Sequence, residues 1–293
     1  MITIKKAKNN YVYDIKGGKS LDFSRNTNIS GYSNKKITTP VKNALSSSWN
    51  VTGNTLYHKR FKNLIKSRFG SDYILLSSQS RNEFFILLSH FYKDLAISFV
   101  GKRIKAYFEN KKLPLNFSKE SKKNIFVYDM AEFYLENAKI DIDRDSLNVV
   151  DYFFYPEFNI ETYGADIIIL PEIYSGNFNY INILVKKNLT GANYFSNPFE
   201  NIPALYVVSS LKSYFIAMNI FNNNAFKLPV IKNDFFLQRG RIFSPKSVDN
   251  YSEAMKNIKS DDIILNEEPP FYNYFSLTLE DYQIKKIGKI FNG

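Results

Sequence analysis

The sequence predicts an α/β fold, and three observations carry that expectation. Short β-rich runs at residues 125–128 and 167–170 have the length and apolar content of parallel strands buried on both faces. Segments with helical spacing of apolar residues lie between and around them, so strands and helices alternate. Composition agrees, with 44% hydrophobic and 16% aromatic residues in a chain of 293. That is enough to bury a sizeable core in one large or two modest domains.

Taken in order, residues 11–23 read as two short strands around a Gly17-Gly18 turn. Residues 39–47 form a short helix, with Pro40 suited to its first turn. In 57–69, Phe61, Leu64, Ile65 and Phe69 share one helical face and lysines lie opposite. Residues 72–77 are a strand and 81–95 a helix with a wide apolar face. Residues 204–221 are again helical, and 279–290 form an amphipathic terminal helix. No internal repeat or Gly/Ser-rich linker divides the chain.

The absence of cysteine excludes disulfides, thiolate metal sites and cysteine nucleophiles. No apolar stretch follows the first lysines as a signal peptide requires, and runs such as 167–171 are too short for a bilayer. A cytoplasmic protein without membrane association is expected. The net charge of +11 suits an anionic partner such as nucleic acid, but the lysines are mostly scattered, which reads as composition. One stretch is denser. Residues 102–123 hold Lys102, Arg103, Lys105, Lys111, Lys112, Lys119, Lys122 and Lys123 against Glu109 and Glu120. Lys111, Lys112, Lys122 and Lys123 are its candidate anion-binding residues, and Tyr107, Phe108 and Phe117 read equally as core or as stacking platforms.

Other chemistry lacks its residues. His58 and His90 lie on separate helices and make no metal site. Asp141, Asp143 and Asp145 are spaced like the start of a calcium loop, but Ser146 and Tyr152 stand where Gly and Glu are required. No phosphate-binding loop, dinucleotide fingerprint or nucleophile elbow is present.

Several segments, in the same order, resemble the class III pyridoxal-phosphate aminotransferases, nearest the glutamate-1-semialdehyde aminomutase branch. Tyr11-Val-Tyr-Asp-Ile-Lys-Gly resembles the opening hairpin Y-V-W-D-V-D-G, and Ile29-Ser-Gly-Tyr sits where the family has L-G-H. Leu75-Leu-Ser-Ser-Gln-Ser-Arg-Asn-Glu lies at the family's N-S-G-T-E-A. Ile97-Ser-Phe-Val-Gly-Lys-Arg-Ile lies at F-x-G-x-Y-H, and Ile125-Phe-Val-Tyr-Asp-Met at L-L-I-x-D-E. Gly164-Ala-Asp-Ile-Ile-Ile-Leu-Pro-Glu-Ile-Tyr-Ser-Gly resembles P-D-I-x-x-L-x-K-x-x-x-G-G. Asn193-Tyr-Phe-Ser-Asn-Pro lies at T-x-x-G-N-P, and Tyr274-Phe-Ser-Leu-Thr-Leu-Glu-Asp resembles a small-domain segment of the aminomutases.

The resemblance implies a fold-type-I architecture. Its parts would be an N-terminal arm (1–45), a large domain (46–222) shortened between Gly101 and Asp129, and a small C-terminal α+β domain (223–293). It also implies where a cofactor would sit. Ser78, Gln79 and Ser80 would hold the phosphate at a helix N-terminus, and Arg103 stands where an aromatic would stack on the ring. Asp129 would pair with the pyridinium nitrogen, and Asn193 replaces a Thr that contacts phosphate across a dimer. The imine-forming lysine is replaced by Glu172, and a carboxylate cannot form an imine. The spacing 172 − 129 = 43 exceeds the family's usual one and requires an insertion.

Of the five contact positions Gln79 (in place of the phosphate-loop Gly), Arg103, Asp129, Glu172 and Asn193, Asp129 alone keeps its residue type, so the expectation is an inactive, dimeric relative without cofactor that binds a partner. That partner would be its own copy, an active aminotransferase or another protein. The alternatives are non-covalent use of pyridoxamine or pyridoxal phosphate with Glu172 as base, or anion binding by the basic stretch. Lys186, Lys187 and Lys212 read as surface charge rather than as substitute imine lysines.

Overall fold

The computed structural model describes residues 3–24, 31–48, 51–115, 124–155, 160–176, 178–189, 197–223, 235–237, 242–245, 263–266, 268, 270, 272–276 and 278–292. The chain begins β1 (Ile4–Lys8), β2 (Tyr11–Asp14), β3 (Lys19–Asp22), α1 (Lys35–Ser48), α2 (Leu56–Phe69), β4 (Tyr73–Ser78) and α3 (Arg81–Phe91). It continues β5 (Ala96–Val100), α4 (Lys102–Lys111), β6 (Asn124–Asp129), α5 (Met130–Glu136), β7 (Leu147–Asp151), β8 (Ile167–Ile169) and β9 (Ile181–Lys186). It closes with β10 (Asn197–Pro198), α6 (Ala204–Asn222), β11 (Phe235–Leu237), β12 (Ile242–Pro245), β13 (Ile263–Ile264), β14 (Asn273–Tyr274) and α7 (Asp281–Asn292).

The central sheet has the order β10-β4-β9-β8-β7-β6-β5. Strands β5 to β8 are mutually parallel, β9 runs against β8, and β4 runs against β9. β4 therefore has the same sense as β5 to β8. The C-terminal ends of all five lie on one edge, where ligands of open α/β sheets bind.

Strand alternation explains why both faces are buried. In β8, Ile168 joins one core cluster with Phe61 and Ile65 of α2 and Val207 and Leu211 of α6. Ile167 and Ile169 join the opposite cluster, with Phe84, Phe85 and Leu88 of α3 and Ile104 and Phe108 of α4. Each such side chain contributes about 1.5–3 kcal/mol by leaving water. α6 is 19 residues long and apolar enough by length to cross a bilayer, a feature the short-run argument missed. Here its Ala204, Val207, Val208, Leu211 and Ala217 are core.

Two helix boundaries differ from the sequence reading. α1 starts at Lys35, and Pro40 lies inside it. The reason is Asn34, whose side chain accepts from the Lys36 N–H at 3.0 Å and fixes an earlier start. α3 ends at Phe91, because Tyr92 N–H closes on the Leu88 carbonyl and a turn leads into β5.

The two ends of the chain share a core. β13 pairs with β3 in parallel, and Tyr11, Leu21 and Phe23 pack with Phe243, Phe275 and Ile287. The N-terminal hairpin is thus seated on the C-terminal region.

His58 is fully buried in α2. Its Nε2 lies 2.7 Å from the Ile202 carbonyl and its Nδ1 2.7 Å from Thr55 Oγ1. The carbonyl needs a donor, so Nε2 carries a proton. Burial holds its pKa below 6.5, the Ile202 carbonyl opposing and Lys62 reinforcing the effect. An unfolded His58 takes up a proton first as pH falls. Its contribution is therefore complete above about pH 6.5 and lost as pH drops towards the lowered folded value. Thermal unfolding between pH 7.5 and 5 should show a shallower pH slope in His58→Gln than in the parent, and equal slopes would refute this.

Candidate functional site

The sheet edge gathers most of the residues singled out in the sequence. Ser78 ends β4, with Gln79 and Ser80 entering α3; Arg103 opens α4, Asp129 ends β6, and Glu172 follows β8. Asn193, Lys122 and Lys123 lie outside the described residues.

The start of α3 is a closed capping arrangement. Ser80 Oγ accepts from the Glu83 N–H at 3.1 Å. The Glu83 carboxylate folds back to accept from the Gln79 N–H and from Ser78 Oγ, each at 2.7 Å. This is a variant of the serine–glutamate capping box in which the carboxylate reaches the N–H one residue before the cap. The Gln79 and Glu83 N–H groups are thereby occupied, and the Glu83 carboxylate stands where an anion would approach.

Next to it the Arg81 side chain turns inward. It is 3% exposed, its Nε donates to Asp151 Oδ2 at 2.7 Å, and its Nη2 lies 2.5 Å from the same oxygen. Asp151 ends β7, opposite Ile169 in register, so it neighbours the strand that leads into Glu172. Asp129 is one strand further, level with Asp151. β7 lies between Asp129 and Glu172 in the chain, and between β6 and β8 in the sheet.

Asp129 caps α5 through Oδ1, which accepts from the Ala131 N–H at 3.1 Å, while Oδ2 accepts from Tyr272 OH at 2.5 Å. Both residues are fully buried. Burial, then the Glu132 and Asp151 charges, push the Asp129 carboxyl up to about 7, with Arg81 and Tyr272 opposing. Burial and the Asp129 carboxylate likewise hold the Tyr272 hydroxyl well above its ordinary value.

Arg103 is buried and donates through Nη1 to Ser244 Oγ at 2.7 Å. Glu132 caps α4, accepting from the Lys102 N–H at 2.8 Å and the Arg103 N–H at 3.0 Å. Burial raises its pKa and these two N–H groups pull it back. Gly101 makes the approach possible. Its φ is 137°, and a Cβ there would collide with the Glu132 carboxylate.

Glu172 begins a 3-10 turn, Glu172–Ser175, closed by Gly176 in the left-handed region. It is half-buried, and its N–H donates to the Phe153 carbonyl at 3.1 Å.

The basic stretch is divided. Lys111 Nζ pairs with Glu268 at 3.1 Å, and Lys112 closes α4 in the left-handed region. Phe108 is core and Tyr107 is partly buried, so neither offers a free ring face for a base. Phe117 is outside the described residues. Among the described residues no group of three or more His, Cys, Asp and Glu could hold a metal.

No protein-family model matches this chain, and no curated protein matches it in sequence. Solved structures do match in fold. Ornithine delta-aminotransferase of Plasmodium falciparum aligns with a TM-score of 0.60 and 12% identity, over 99% of this chain and 93% of its own. A transaminase with bound PLP gives 0.65 at 10% identity, over 99% and 89%. A Bacillus anthracis aminotransferase gives 0.61 at 12%, over 99% and 92%. The chain therefore has an aminotransferase-like α/β fold, as the resemblance implied.

At the edge, the positions where the resemblance would place a cofactor are taken up by other side chains. The implied phosphate cradle holds Glu83, and Asp129 is taken by Tyr272. Arg81 fills the space against Asp151, and the implied lysine position carries Glu172.

Sequence reasoning missed Arg81, Glu83, Asp151 and Tyr272. The Ser80-x-x-Glu83 box was a readable signal; the other three depend on contacts between distant segments.

Proposed function

We propose that this chain is a catalytically inactive relative of the class III aminotransferases, nearest the aminomutase branch, acting in the cytoplasm as a dimeric scaffold or binding partner. The observation that carries the reading is the Glu83 carboxylate on the Gln79 N–H, because it places a fixed negative charge where a phosphate would have to bind. Glu172 at the implied imine position points the same way.

A partner-binding role draws support from the surface. Phe215 of α6 is 57% exposed, and a groove of about 810 Å³ between α1 and α6 is lined by Pro40, Phe215 and Ile216 with Lys35, Lys36 and Lys212. Exposed apolar side chains beside such a groove suit a protein interface.

Absorbance spectra during titration with pyridoxal phosphate and pyridoxamine phosphate should show free cofactor only. Native mass spectrometry should give twice the chain mass. A bound chromophore would overturn the inactive reading and make Glu172 the candidate base. A monomeric mass would remove the dimer.

A further inference from the structure

We propose that the guanidinium of Arg81 is an intramolecular ligand: it occupies a planar-cation site made of aromatic rings and Asp151, and it makes the old ligand cleft the seat of the C-terminal segment. This rests on the reading that the cleft no longer holds a cofactor.

The site is built for a flat, delocalised cation. The Arg81 Cζ lies 4.8 Å from the Phe154 ring centre, 5.0 Å from Phe108, 5.1 Å from Tyr107, 5.6 Å from Phe85 and 5.7 Å from Phe153. All fall within the range of cation–π attraction. The rings come from α3, from α4 and from the segment after β7, so the cage exists only in the folded chain. Asp151 supplies the counter-charge, with both side chains of the pair almost wholly buried. Among the described residues the Arg81 Nη1 has no hydrogen-bond acceptor. Ring faces rather than oxygens complete its surroundings, which suits guanidinium and not an ammonium point charge.

The cage also reaches the C-terminal segment. Phe154 meets Tyr272 edge-on at 5.5 Å, and its carbonyl accepts from Tyr274 OH at 3.1 Å. Tyr272 in turn donates to Asp129, and Ser244 accepts from Arg103. Removing the guanidinium should therefore leave a cavity of rings with an unpaired buried Asp151 and loosen this seat.

Chemical rescue tests the assignment. Arg81→Ala should lose roughly 10 °C in melting temperature, as expected for breaking a buried ion pair. Millimolar methylguanidinium chloride should restore much of the loss saturably, while sodium chloride of equal ionic strength should not. Arg81→Lys should lose comparable stability without rescue, since its own chain fills the space. Absence of saturable rescue, or a wild-type melting temperature in Arg81→Lys, overturns the proposal. If Arg81→Ala does not fold, side-chain nitrogen NMR of the unmodified protein decides. One slowly exchanging arginine Nε–H that disappears in Arg81→Lys supports the cage, and rapid exchange of every arginine refutes it. The inactive reading stands or falls separately, on the cofactor titration of the wild type.

Discussion

Gly176→Ala should destabilise the protein by about 3 kcal/mol or more, which is the sum of two independent penalties. The first is conformational. Gly176 has a φ of 61°, where any residue with a Cβ is strained. The second is steric. A Cβ there would meet the Ser210 N and would lie 2.6 Å from the Ser209 carbonyl carbon and 2.7 Å from the Ser210 Cα. These are backbone atoms of a buried helix and cannot swing aside as a side chain would. The contact is part of how α6 is seated, because Ser209 Oγ also donates to the Gly176 carbonyl at 2.6 Å. Urea denaturation is the measurement. A loss below about 1 kcal/mol would mean that the turn after Glu172 can move away from α6 at little cost. Since the turn carries Glu172, the variant should also disturb the sheet edge, visible as faster amide exchange at Tyr174 and Gly176.

The α/β framework was legible because burial imposes periodicity. β4, β6, β8, α2, α3 and α6 all follow from local apolar spacing, and four of the segments resembling the aminotransferases (75–83, 97–104, 125–130 and 164–176) reach the same sheet edge. What escaped was set by tertiary contact. β7 carries Leu147, Val149 and Val150 broken by Asn148, too short a run to stand out, and with it went Asp151. Strand direction is not encoded locally, so the antiparallel β9 could not be told from a parallel strand. Arg81 reads as an ordinary basic residue at a helix start. Its inward course depends on Tyr107, Phe108, Phe153 and Phe154, which lie far along the chain. Asp129 and Tyr272 are 143 residues apart, so no window could link them. The positions at the sheet edge were therefore readable, and their tertiary partners were not.

Asp129→Asn should change the pH dependence of stability more than its value at low pH. The Asp129 carboxyl is raised to about 7 in the folded chain, against 3.8 as its ordinary value. Between those values the folded state holds a proton that the unfolded state has released. The contribution of Asp129 to stability is therefore greatest below about pH 4 and falls as pH rises towards 7, where the carboxyl ionises in the folded state as well. The groups facing it are Glu132 and Asp151, which oppose ionisation, and Arg81 and Tyr272, which favour it. Asparagine cannot ionise, yet its carbonyl can still accept from the Ala131 N–H and its amide can donate to the Tyr272 oxygen. The stability difference between variant and parent should thus shift in favour of the variant by about 3 kcal/mol between pH 5 and pH 8. Urea titrations of both proteins at the two pH values read this directly. Glu132 is raised too, but it is common to both proteins and cancels to first order. A difference that does not vary with pH would show that Asp129 is ionised throughout. The Tyr272 contact would then be a charge-assisted bond on a permanent carboxylate, and Asp129→Asn should instead cost stability at every pH.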